Sequence, residues 1–183
     1  MNKFKNILVL YDIDQGRAAL KCSIRMAKKS GARITIGRVL EEIPNAKVSS
    51  GVITELWNTV LQESHRELEL LAKELSAEGL ESDFRLVTGT PFIEVIREVL
   101  RNGYDLVIKN SEGKGGLRGV FLGSNDWHLL RKCPCPVWIV KPSHHQKFSR
   151  IMAAVDPDPL DKERDALNTK IIEVAAAISR MER

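Results

Sequence analysis

The chain has 183 residues, 43% hydrophobic and 28% charged, with a formal net charge of +4. That is a globular composition, long enough for one sizeable core and too short for two. The basic excess makes no nucleic-acid footprint, because Lys and Arg are spread among nearly as many Asp and Glu, and runs such as Lys28-Lys29 and Arg131-Lys132 are short and carry no interleaved aromatics.

Met1-Asn2-Lys3-Phe4-Lys5-Asn6 leads into a short apolar run with no small-residue cleavage site behind it, so no signal peptide is expected. Asn6 to Tyr11 is a continuous apolar run stopped by Asp12, the pattern of a strand buried on both faces of a parallel sheet. From about Gly16 to Ser30, Ala19, Leu20, Ile24 and Ala27 recur at helical spacing, and Gly31 is a natural C-terminal cap. Arg33 to Leu40 reads as a second strand, and Pro44 breaks the chain after it. Ile53, Leu56, Trp57, Val60, Leu61, Leu68, Leu71, Ala72 and Leu75 form one helical stripe that Gly79 ends, and His65 falls on its charged, solvated face.

Ser82 to Val87 gives a third strand. Thr90-Pro91 then looks like an N-cap with proline at the first helical position, ahead of the stripe Ile93, Ile96, Val99 and Leu100. Asp105 to Ile108 is a fourth strand, followed by a glycine-rich loop from Asn110 to Leu122. A helix from about Ser124 to Arg131, with Trp127 and His128 on a packing face, precedes a last strand from Val137 to Lys141. Strands alternating with helices predict a doubly wound α/β fold, with a five-stranded, mostly parallel sheet and helices on both faces. Ligands of such sheets bind beyond the carboxyl ends of the strands, where the strand order reverses.

No run approaches the ~20 apolar residues of a membrane helix. The three cysteines, Cys22, Cys133 and Cys135, form no disulfide framework and predict a reducing, cytoplasmic setting. Cys133-Pro134-Cys135-Pro136 offers two ligands with no second Cys or His pair at ligand spacing, so no metal is expected where structural zinc takes four. His144 and His145 read as surface residues of a polar linker.

The pattern then restarts. Phe148 to Asp156 lays over Phe4 to Asp12 with Phe, Ile and Asp at matching positions, and Ala166-Leu167 with Ile171 follows as Ala19-Leu20 with Ile24 does. The chain therefore divides into a first domain over 1–142, a linker over 143–148, and the first strand and helix of a truncated second copy over 149–183. A strand and helix that merely decorate the first domain are the alternative.

The stretch from Asp105 through Gly113 to Gly123-Ser124 leaves a central strand and enters a helix. Its glycines let backbone N–H groups approach an anion, Ser124 adds a hydroxyl, and the helix N-terminus a partial positive charge: a phosphate cradle. It is neither a Walker A loop nor a Rossmann fingerprint. Asn110-x-x-Gly113, nine residues and Gly123-Ser124 resemble the universal stress protein family, whose nucleotide-binding members carry Gly-x-x-Gly, nine residues and Gly-Ser or Gly-Thr after such a strand. Cys135-Pro136-Val137, Gly89-x-Pro91 with Ile96, and Asp12 at the end of strand one match the same family. Asp126-Trp127-His128 through Pro136, together with Lys109, resembles the N-terminal half of its tandem E-type members.

The resemblance implies a non-enzymatic stress-response module that binds ATP or AMP. Asp12 would face the adenosine end, the Val39 backbone would hydrogen-bond the adenine, and Gly113, Gly123, Ser124 and Asn125 would hold phosphates. Asn110 departs from the family's first glycine, so it would carry any positive φ that position needs at some cost. Ile13-Asp14 adds bulk and charge after Asp12, and Lys109 either blocks the pocket or neutralises a phosphate. The alternative is a scaffold, or a small-ligand binder, that takes no nucleotide. The resemblance also implies pairing through the last strand, Val137 to Lys141, as a homodimer or between tandem domains. An enzyme such as a slow ATP hydrolase ranks last, since no general base or metal-holding acid is placed beyond Asp12 and a phosphate cradle alone is a binder.

Overall fold

The computed structural model describes residues 4–12, 17–41, 51–112, 123–141, 150–158 and 160–182. The elements expected over 1–142 form in the expected order, and a helix follows them: β1 (Asn6–Leu10), α1 (Ala18–Ser30), β2 (Arg33–Leu40), α2 (Gly51–Ala77), β3 (Ser82–Thr88), α3 (Pro91–Asn102), β4 (Leu106–Asn110), α4 (Ser124–Lys132), β5 (Val137–Val140) and α5 (Lys162–Glu182). The first five strands and four helices belong to one compact unit and α5 to another.

All five strands pair in parallel, in the order β3-β2-β1-β4-β5. β1 lies between β2 and β4, which is why its apolar run is continuous: Ile7, Leu8 and Val9 are buried whichever face they point to. β1 to β3 step one way across the sheet, and β4 and β5 lie on the other side of β1. With right-handed crossovers, α1 and α2 cover one face and α3 and α4 the other. On the α3/α4 face Leu8, Val95, Val99, Tyr104, Val107 and Leu129 form one cluster. On the opposite face Leu20 and Met26 of α1 and Leu68, Leu71 and Leu75 of α2 are buried.

The stop signals act as the sequence predicts. Gly31 ends α1 at φ 66°, a left-handed conformation that costs glycine little, and its N–H bonds the Ala27 carbonyl. Gly89 turns β3 into α3 at φ 140° while its N–H bonds the Leu40 carbonyl at 2.9 Å, so this turn needs glycine. Pro91 opens α3 behind Thr90, whose side chain makes no cap bond; its carbonyl accepts from Ile93 and Glu94.

Several expectations change. β4 runs to Asn110, opposite Val140, so Asn110, expected to open the loop, belongs to the sheet with Lys109. The parallel ladder to β5 supplies the backbone partners that keep them extended. Trp127 is 56% exposed, while His128 does pack, stacked on Phe92 with centroids 4.2 Å apart. His65 is exposed as expected, with its ring edge-on to Phe84. Cys133 and Cys135 hold their sulfurs 3.7 Å apart, and the Cys135 thiol, by donating to Cys133, pulls Cys133 down to about 7. Among the described residues no group of three or more His, Cys, Asp or Glu could hold a metal ion.

In the second unit, residues 151–155 carry no strand ladder. The repeat predicts a strand there, but a strand needs a neighbour, and the strands that would flank it in a second copy are not among residues 150–158 and 160–182. The helix does form. Asp161 caps α5 by accepting from the N–H groups of Glu163 and Arg164. Asn168 clamps the backbone of Asp156 from both sides, accepting from its N–H at 3.1 Å and donating to its carbonyl at 2.9 Å.

Candidate functional site

In the order β3-β2-β1-β4-β5 the direction of winding reverses between β1 and β4, so the crevice belongs beyond the ends of Leu10 and Asn110. A cavity of about 530 Å³ lies there, its lining drawn from β1, β2, β4, α2, α3 and α4. That is ample for a nucleoside-sized ligand, whose pockets run from roughly 300 to 1,000 Å³. Of the residues the sequence points to, Asp12, Val39, Lys109, Asn110 and Asn125 line it. Ser124 instead lines a neighbouring cavity of about 380 Å³, which shares Glu41, Pro91, Phe92 and Asn125 with the first. Gly113 and Ile13-Asp14 lie outside the described residues.

The β2 end of the cavity presents backbone. The ladder between β1 and β2 closes with the Tyr11 N–H on the Gly37 carbonyl at 2.8 Å, and Leu40 turns its carbonyl the other way, to Gly89. Backbone groups alternate between the two edges of a strand, so the N–H and C=O of Val39 share the edge used by Gly37. They look out where β1 has already ended. A flat ring lying there meets a donor and an acceptor side by side, with Leu10, Val95 and Leu129 as its apolar surroundings. Arg38, also in the lining, is held down by Glu67 at 2.9 Å and sits 5.4 Å from the Tyr11 ring. Burial, and then the Glu67 charge, push the Tyr11 hydroxyl above its ordinary value, which keeps it neutral.

The β4 end is ionic. Lys109, almost wholly buried, reaches across to Asp126 and lies 2.7 Å from Glu112. Asp126 is fully buried; its second oxygen accepts the Glu112 N–H at 3.0 Å and the Gly123 N–H at 3.3 Å. The last of these bonds is the reach-back half of a capping box, for which Gly123, the N-cap of α4, has no side chain to complete the other half. Ser124 is therefore the first helical residue, not the cap. A Cβ placed on Gly123 would overlap the Glu112 side chain. Glycine is needed here for that close approach, since its φ of −67° suits any residue.

Asn110 shows no positive φ; among the described residues only glycines do. The expected strain is absent because the residue continues β4. Its Oδ1 accepts the Ala19 N–H at 2.9 Å, capping a helix whose own N-cap, Arg17, supplies no side-chain bond. A glycine could not do this.

Sequence reasoning missed Arg38, Glu112, Asp126 and Phe92. For Asp126 a signal existed, an acid three residues after Gly123 at a helix start. Glu112 and Arg38 gave none, because their partners stand far away in sequence or across a turn.

The model of the "Universal stress protein family" matches residues 3–141. Universal stress protein E of Escherichia coli K12 is 28% identical over 177 residues, which cover 94% of this chain and 56% of that protein. Universal stress protein YxiE of Bacillus subtilis is 26% identical over 147 residues, covering 75% of this chain and 99% of that one. A functionally unknown protein of Pseudomonas aeruginosa PAO1, solved by crystallography, superposes with a TM-score of 0.78 at 25% identity, over 99% of this chain and 58% of its own. The chain thus spans little more than half the length of the E-type relative.

Proposed function

The chain belongs to the universal stress protein family, and from that premise we propose that residues 4–141 are a non-enzymatic stress-response regulatory module that holds the adenosine end of a small ligand. What carries this reading is the backbone edge of Val39 beyond the end of β1, which meets no backbone partner among the described residues and faces a cavity at the switch point. ATP and AMP, which the resemblance implies, share that end. A cytoplasmic setting fits cysteines that form no disulfide, and no helix among the described residues is long and apolar enough to cross a membrane.

Freshly purified full chain, denatured and examined by mass spectrometry, should release an adenosine-containing compound near one per chain. Val39→Pro removes the cavity-facing N–H and leaves the bonds to β3 to its neighbours. It should weaken adenosine binding roughly tenfold, the worth of about one hydrogen bond, with an unchanged circular dichroism spectrum. A chain that releases no such compound and ignores added adenosine sinks the reading.

A second reading rests on β5. Val137–Val140 is an apolar edge strand paired only to β4 among the described residues. Such an edge pairs readily with another chain, as a homodimer or between tandem domains. Light scattering should give twice the mass of one chain at micromolar concentration if the edge pairs two chains; a monomer there excludes the homodimer. Residues 149–183 enter this reading as the start of a second domain, supported by E-type relatives nearly twice as long as the matched span.

A further inference from the structure

We propose that the switch-point cavity takes a nucleoside whose 5′ end is neutral or cationic, and turns away nucleoside polyphosphates. The proposal rests on the adenosine reading above and adds the class of ligand. A phosphate tail leaving a ribose in this cavity would need the N-terminus of α4 and an unengaged cation. Among the described residues neither is on offer. The Glu112 side chain lies against the Gly123 backbone, where an anion would have to approach that helix end. Asp126 already takes the Gly123 N–H.

Both cations in the described lining are engaged as well. Lys109 is shared between Asp126 and Glu112, two carboxylates for one ammonium, and Arg38 is paired with Glu67. Asp12 and Glu41 add two further carboxylates to the described lining. In a partly buried site such a group repels an incoming anion. Lys109 and Glu112 therefore act together: the lysine does not greet a phosphate but anchors a built-in carboxylate in its place. An ammonium or other cationic group on C5′ would meet that carboxylate instead.

The test is calorimetric titration of the full chain, at one fixed salt concentration, with adenosine, 5′-amino-5′-deoxyadenosine, ATP and inorganic tripolyphosphate. Wild type should bind adenosine and its 5′-amino derivative at least about tenfold more tightly than ATP, and tripolyphosphate not measurably. Glu112→Ala clears both charge and bulk from Gly123 and should raise ATP affinity roughly tenfold relative to adenosine. Glu112→Gln, which keeps the shape, should give part of that gain and guards against a misfolded alanine variant. ATP binding wild type as tightly as adenosine, or ATP affinity unmoved by both substitutions, overturns the proposal. If no adenosine compound binds, the adenosine reading falls separately. Phosphate exclusion is then decided by tripolyphosphate, which must ignore wild type and bind Glu112→Ala.

Discussion

Replacing Lys109 with methionine lowers stability by about 3–5 kcal/mol, the usual cost of removing one partner from a buried ion pair. Methionine nearly fills the lysine stem, so packing is conserved and the loss is electrostatic. Asp126, with no solvent exposure, keeps two backbone donors but loses the only ammonium that neutralises it among the described residues. Glu112 loses the same partner and sits close by. Urea denaturation of Lys109→Met, Asp126→Asn and the double variant checks this. The asparagine keeps an acceptor for the Gly123 and Glu112 N–H groups without the charge. The double variant should therefore be more stable than the sum of the singles by about 1–3 kcal/mol. A single-variant loss under 1 kcal/mol, or strict additivity, would mean that Lys109 reaches solvent and does not bind Asp126.

The same residue marks where sequence reading stopped. Periodicity gave the order and type of the elements, because buried parallel strands read as unbroken apolar runs and Gly31 and Gly89 act locally. The location of the crevice followed from the alternation of strands and helices. The end of β4 did not follow: Lys109 and Asn110 are polar, and only pairing with Ile139 and Val140 keeps them in the sheet. Nor was the state of the lysine legible. Whether it blocks a pocket or greets a phosphate depends on Asp126, seventeen residues on, and no local pattern records that distance in space. Asn110 is the converse case. Read as a defective motif glycine, it caps α1, an element ninety-one residues earlier. In the second unit the repeat matched at Phe148, Ile151 and Asp156, yet residues 151–155 take no ladder. A strand's pattern is local, while its hydrogen bonds belong to its neighbours.

Leu129→Ala should cost about 2–3 kcal/mol, toward the low end of the range for emptying a buried leucine site. Leu129 is 1% exposed and packs with Leu8, Val95, Val99, Tyr104 and Val107, yet it also lines the switch-point cavity. Truncating it enlarges an existing opening instead of sealing a new void. The transfer loss is therefore paid in full, and much of the cavity penalty is not. The neighbouring Leu130, 44% exposed on the same helix, is the internal control, and Leu130→Ala should change stability by no more than about 0.5 kcal/mol. Equal costs at the two positions, read from urea midpoints with unchanged slopes, would mean that α4 docks on a different face. The difference has a consequence for the site. Leu129 stands one helical turn beyond Asp126, so the packing that seats α4 on the sheet also holds Asp126 against Lys109. Loosening that seat should shrink the coupling measured between Lys109 and Asp126, because an ion pair in low dielectric depends on the walls that exclude water from it.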